Sequence, residues 1–249
     1  MAQKHGFFQY LRLKIIVVLL QAWLMVSSKK QQQRDRDLVP QEVPVEQVKI
    51  PSRNRGRHIL AHLYLPPGHY SSSKPLPILV NWHGSGFIFH LLGTDALYCA
   101  RLARDAGIAV LDADYRKGPE DTFPRALHDA EDALRTGGTI AVAATTTLRK
   151  KLQDIVNVKI VFSFYSLVDM AKPPEEKKVP HLINAHPIWA LHLFNDSYAP
   201  DVDSRTVPAI SPAFANLEDF PPTVVFITAE TDTLRPEVNA LVERLIADT

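Results

Sequence analysis

Cysteine is almost absent from these 249 residues: Cys99 stands alone, so no disulfide can form within the chain. Its neighbours Leu97, Tyr98, Ala100 and Leu102 predict a small buried apolar residue with no catalytic role. Metal-ligand spacing is missing too. The ten histidines are scattered, with no H-E-x-x-H or C-x-x-C unit, so no metal site is expected. Charge is nearly balanced, at a formal +1 from 28 Lys and Arg against 27 Asp and Glu. With both signs spread along the chain, nothing favours nucleic acid, and a small-molecule partner is expected instead. The longest apolar run, residues 15–26, is broken by Gln21 and falls short of the roughly 20 residues that span a bilayer.

What is present suits a folded domain. At 46% hydrophobic and 22% charged, the chain can bury one sizeable core. Lys4, Arg12 and Lys14 precede the 15–26 run, and three readings stay open for it: an amphipathic helix over the domain, a membrane anchor, or a signal segment. Residues 7–26 are therefore the candidate membrane-associating stretch. The weak cleavage site at Val26-Ser27-Ser28 and the single cysteine favour a cytoplasmic or membrane-associated location over secretion. Residues 29–37, rich in Gln, Arg and Asp, read as a solvated linker. Residues 1–45 are thus an N-terminal apolar helix with a linker, and 46–249 the domain.

Within that domain, 48–50 and 59–65 predict an antiparallel edge hairpin closed by Pro66-Pro67-Gly68. Residues 77–82 form a run that is apolar except for Asn81, as in a strand covered on both faces, and lead into His83-Gly84-Ser85-Gly86-Phe87. Thr94 is placed to cap a helix over 95–106 that Gly107 stops. A strand at 108–112 and a helix from 123 or 124 to about 135 follow. Further on come a helix-like 139–152, a strand at 158–165, a proline-rich insertion at about 169–207 read as a cap, and a strand at 223–228. Strands alternating with helices predict an α/β fold with a mainly parallel sheet.

The residues from Val80 to Asp132 resemble the hormone-sensitive-lipase-like esterases, an α/β-hydrolase group marked by an HGGG loop. His83-Gly84-Ser85-Gly86 stands at that loop, and the segment Asp112 to Glu120, containing Asp114-Tyr115-Arg116, is similar to the group's DYRLAPE stretch. The likeness continues through Phe123-Pro124, Asp129 to Asp132, Ile210-Ser211-Pro212 and Ala229 to Arg235. It implies that the backbone N–H groups of Gly84, Ser85 and Gly86 form an oxyanion hole. His83 would then fix the loop by hydrogen bonding, Asp232 would be the acid of a catalytic triad, an ester or acyl compound would be the ligand, and no cofactor would be needed. Asp232 has a second reading as a helix cap. Ser85 replaces a glycine of the group and lies in the loop, away from any strand-to-helix elbow, so it is not expected to be the nucleophile. His181, His186 and His192 fall in the cap, at the surface or lining it.

Two parts of the pattern are missing. The group's nucleophile sits on a G-x-S-x-G elbow, and this chain has no such motif. Where it belongs, Asp132-Ala133-Leu134-Arg135 passes directly into Thr136-Gly137-Gly138, and the glycines resemble the end of the elbow. The expectation is a lost block: a turn, a strand of roughly 5–6 residues and the first half of the elbow. Thr136 is a poor substitute, since a hydroxyl needs an adjacent base. No histidine follows Asp232. The expected fold is therefore an α/β-hydrolase sheet flanked by helices, with a small cap, lacking a central strand and the C-terminal strand. The expected function is carboxylic-ester hydrolysis by family in an inactive or incomplete product. A non-catalytic ligand-binding relic is the alternative.

Overall fold

The β1–β2 hairpin sets the first sheet. In the computed structural model, which describes residues 6–69, 76–137, 157–178 and 187–247, β1 (Val45–Pro51) pairs antiparallel with β2 (His58–Tyr64), and Ile50 faces Ile59. β2 also pairs antiparallel with β4 (Ala109–Ala113), and β4 pairs in parallel with β3 (Ile78–Asn81). The order is β1-β2-β4-β3. All five residues of β4 are buried, as its Ala-Val-Leu-Asp-Ala sequence requires of a strand covered on both faces.

β5 (Ile160–Phe164) and β6 (Thr223–Ile227) form a separate parallel pair. Among the described residues β3 is paired only with β4, and β5 only with β6. The helix expected over 139–152 lies outside the described residues. The two sheets are joined by packing: Tyr98 meets Phe164 edge-on with ring centroids 6.0 Å apart. Leu167 and Met170, just after β5, share an apolar cluster with Phe87, Tyr115 and Phe123.

α2 (Ala96–Ala106) buries Ala96, Cys99, Ala100 and Ala103 against the first sheet and ends at Gly107, whose φ of 64° is the left-handed conformation of a helix stop. Asp95, not Thr94, occupies the N-cap position. The Thr94 hydroxyl donates to the Leu91 carbonyl, and the helix start has no side-chain cap hydrogen bond. α3 (Arg125–Gly137) covers the first sheet's other face through Ala133. In the cap region the group around Ile188 is a full helix, α4 (Ile188–Tyr198). α5 (Arg235–Ala247) packs Val238 and Leu241 against Val161 and Val168.

The N-terminal stretch needs correction. α1 runs unbroken from Phe7 to Asp37, so the linker expected at 29–37 is helical. Lys, Gln and Arg are good helix formers, and the Gln33 amide donates to Asp37 one turn on, at 2.7 Å. The apolar stretch is also longer than the sequence suggested. Phe7–Met25, 19 residues, is long and apolar enough to cross a membrane, because Arg12 and Lys14 interrupt it only singly.

Candidate active site

The turn after β3 is held by a chain of hydroxyls whose direction follows from counting protons. The Tyr115 hydroxyl donates to the His83 carbonyl at 2.9 Å and lies 2.6 Å from Ser85 Oγ. Tyr115 has one proton and spends it on His83, so Ser85 is the donor in the second contact. Ser85 Oγ in turn accepts the Phe87 N–H at 3.1 Å. With its hydroxyl committed on both sides and buried, Ser85 is a structural brace rather than a nucleophile.

The backbone explains why serine is tolerated at 85 and glycine is kept at 86. Positive φ occurs at Gly86 (54°) and at Phe87 (63°), and Ser85 is outside that region. A Cβ at Gly86 would also stand 3.0 Å from the Phe194 ring. Phe87 is stabilised by stacking on Tyr198 of α4, with centroids 3.8 Å apart and planes at 12°. The Ile88 and Phe89 N–H groups both return to the Ser85 carbonyl. Among the described residues, none of the hydrogen bonds uses the N–H of Gly84, Ser85 or Gly86. Three consecutive donors are thus unspent in a tight turn, as an oxyanion hole requires.

Beneath the turn lies a buried charge pair. Lys117 Nζ donates to Asp114 Oδ1 at 2.8 Å and to the Tyr115 carbonyl at 2.6 Å, and sits 3.2 Å from the Tyr115 ring centroid. Burial lowers the Lys117 pKa, while Asp114 pulls it up. The His83 ring, 2% exposed, stacks on Tyr115 at 5.3 Å. Neither of its nitrogens has a hydrogen-bond partner among the described residues, and Nε2 is 3.8 Å from Asp114. His83 meets Tyr115 through its carbonyl and its stacked face, with no ring hydrogen bond among the described residues. Desolvation first, then the Lys117 and His90 charges, push the His83 pKa down to about 3 against the pull of Asp114. Such an imidazole is neutral near pH 7 and too weak to serve as a general base.

The 114–117 segment is anchored from α3. Asp129, fully buried, accepts Arg57 Nη1 at 2.6 Å and Nη2 at 2.8 Å, together with the Arg116 backbone N–H at 2.8 Å. Arg53 pairs with Glu131 at 2.7 Å and with Asp132 at 2.8 Å. These acids, which the sequence places in the family-like segment, hold the scaffold and do not reach the turn. Tyr115 was missed as part of the site because its partners Ser85 and His83 lie 30 and 32 residues away; Lys117, whose partners are two and three residues away, belongs to the site only through Tyr115.

Asp232 lies just beyond β6, half-buried, and its Oδ1 accepts the Leu234 N–H at 2.9 Å ahead of α5. Thr136 falls in the last turn of α3. His192 is on the outside of α4, 2.6 Å from Glu175, and His181 and His186 lie outside the described residues. At the other end of the cap, Lys177 Nζ is 2.6 Å from Glu237 Oε2, and Glu237 Oε1 accepts the Val168 and Asp169 N–H groups. Among the described residues no three His, Cys, Asp or Glu side chains are placed to hold a metal.

Comparison with known proteins fits this geometry. The profile of the alpha/beta hydrolase fold matches in two stretches, 79–136 and 135–249, which meet at Arg135 and Thr136. Esterase LipI of Mycobacterium tuberculosis is 26% identical over 85% of this chain and 72% of its own length. Carboxylesterase 20 of Arabidopsis thaliana is 35% identical over 39% of this chain, an alignment that spans only 29% of that protein. An esterase of Pyrobaculum calidifontis superimposes with a TM-score of 0.76 at 27% identity, covering 93% of this chain and 80% of that one. The chain belongs to the α/β-hydrolase fold family, within its hormone-sensitive-lipase-like group of carboxylic-ester hydrolases.

Proposed function

We propose that this chain keeps the acyl-binding half of a carboxylesterase site and does not itself hydrolyse esters. In this reading Gly84, Ser85 and Gly86 donate to the carbonyl oxygen of a bound ester or acyl compound, His83 supports their turn, and Asp232 marks the acid position. The observation that carries it is the junction at 135 and 136: the two family-like stretches abut there, where the elbow serine would stand, and no G-x-S-x-G occurs. The hydroxyl of Ser85, within the turn itself, is spent on Tyr115.

Hydrolysis of a short-chain p-nitrophenyl ester by the purified chain tests this, beside an Asp232→Asn control and a thermal-shift titration with the same ester. The expected result is no turnover in either protein and a saturable rise in melting temperature. Turnover that disappears in the control would overturn the reading, because it requires a working nucleophile and base.

A second reading concerns association with a membrane through residues 7–26. It is favoured by the exposure of Phe7–Met25, only 11% buried although mostly apolar. A helix that is apolar all round belongs in a core or against lipid.

A further inference from the structure

Resting on that membrane reading, we propose that α1 lies flat on an anionic lipid surface, held to the domain by one face while the opposite face enters the lipid. The inner face is fastened in three ways. Leu13 and Val17 pack on Ile88 and Leu193, Gln21 Nε2 donates to the Ile88 carbonyl at 2.6 Å, and Lys14 pairs with Glu120. A spanning helix would break all three and bare Ile88, which is completely buried.

The outer face is uncovered. Phe8 is 83% exposed, Trp23 74%, Leu19 64% and Ile15 51%, with Leu11 beside them. At about 100° per residue these five fall within an arc of about 120°. Arg12, Lys29 and Lys30 fall over the same arc by the same count, are exposed, and make no ion pair among the described residues. Cations set within and just beyond an apolar stripe can pair with the headgroups of anionic lipid while the apolar side chains enter it.

The charge distribution agrees. Residues 1–34 contain six Lys and Arg and no Asp or Glu, whereas the remaining 215 residues carry 22 basic against 27 acidic. The overall +1 conceals this asymmetry.

The test uses the full chain in flotation with vesicles of phosphatidylcholine alone and of phosphatidylcholine mixed with phosphatidylserine. Binding is expected to the mixed vesicles, with about 10- to 30-fold loss in Lys29→Gln/Lys30→Gln and full loss in Leu19→Asp/Trp23→Asp. Because these side chains are exposed, circular dichroism should report an unchanged fold in both variants. Nitroxide labels at Phe8→Cys and Leu19→Cys are expected at one shallow depth, whereas a spanning helix would separate them by about 16 Å. Cys99, fully buried, leaves the labelling selective. No binding to either vesicle removes the membrane reading as a whole. Equal binding to both vesicles, or labels at different depths, keeps that reading and overturns flat anionic docking. Ester turnover enters neither measurement, so the acyl-site reading stands or falls separately.

Discussion

Ser85 Oγ and the Tyr115 hydroxyl are 2.6 Å apart although 30 residues separate them in sequence. The strand-end turn that offers its N–H groups is thereby tied to the loop after β4. Tyr115→Phe removes an acceptor from Ser85 and a donor from His83 at once. It is expected to lower unfolding free energy by about 1–3 kcal/mol, the worth of two hydrogen bonds in a buried setting. Urea denaturation checks this, and a loss below about 0.5 kcal/mol would mean that the hydroxyl chain contributes nothing net.

The two glycines flanking Ser85 should respond differently to alanine. Gly86→Ala forces a side chain into φ of 54° and against Phe194 at 3.0 Å, while a Cβ at Gly84 meets nothing within 4 Å. Gly86→Ala is expected to cost about 1–3 kcal/mol from the backbone alone. Gly84→Ala, on an exposed site, should stay within about 0.5 kcal/mol. Equal costs in thermal denaturation would contradict this account of the turn.

Asp129 neutralises two arginines at once, and Arg116 is itself buried. Asp129→Asn keeps the shape and removes the charge, leaving Arg116 buried beside an amide. Loss of one partner from such a pair costs about 3–5 kcal/mol. Arg57, 31% exposed, recovers some hydration, so the low end of that range is expected. A chemical denaturation midpoint unchanged by the substitution would refute a structural role for this network.

Most of the sheet was legible because its strands carry their own signal. The 77–82 run, apolar except for Asn81, appears as β3, and the alternation at 59–65 appears as β2. Gly107 stopped α2 for a local reason, its left-handed backbone. Three features were not legible. α1 extends to Asp37 because polar residues with good helix propensity look like a linker when composition alone is weighed. Its cationic face was hidden by a near-zero total charge. The committed hydroxyl of Ser85 depends on Tyr115, a tertiary contact that no sequence spacing encodes.

Two buried groups oppose each other in acid. The His83 pKa falls from 6.5 to about 3 in the folded chain, chiefly through desolvation. An unfolded chain therefore binds a proton below 6.5 that the native one refuses, and stability declines as pH falls through the window from 6.5 to 3 at about 1.4 kcal/mol per pH unit. Asp112, fully buried and hydrogen-bonded to Asn81 and the Gly93 N–H, goes the other way. Desolvation, aided by Asp95 and Asp114, raises its pKa from 3.8 to about 7. The native state binds that proton first, so stability rises as pH falls from 7 to 3.8, by a similar slope. Between pH 6.5 and 3.8 the two contributions nearly cancel. Asp112→Asn removes one of them and should expose the other: its unfolding free energy is expected to drop by about 1.4 kcal/mol per pH unit between pH 6 and 4 relative to the parent. His83→Gln should produce the opposite tilt. Urea denaturation of the three proteins at pH 6, 5 and 4 decides it. Parallel pH profiles for all three would mean that neither group changes its protonation on folding in this range.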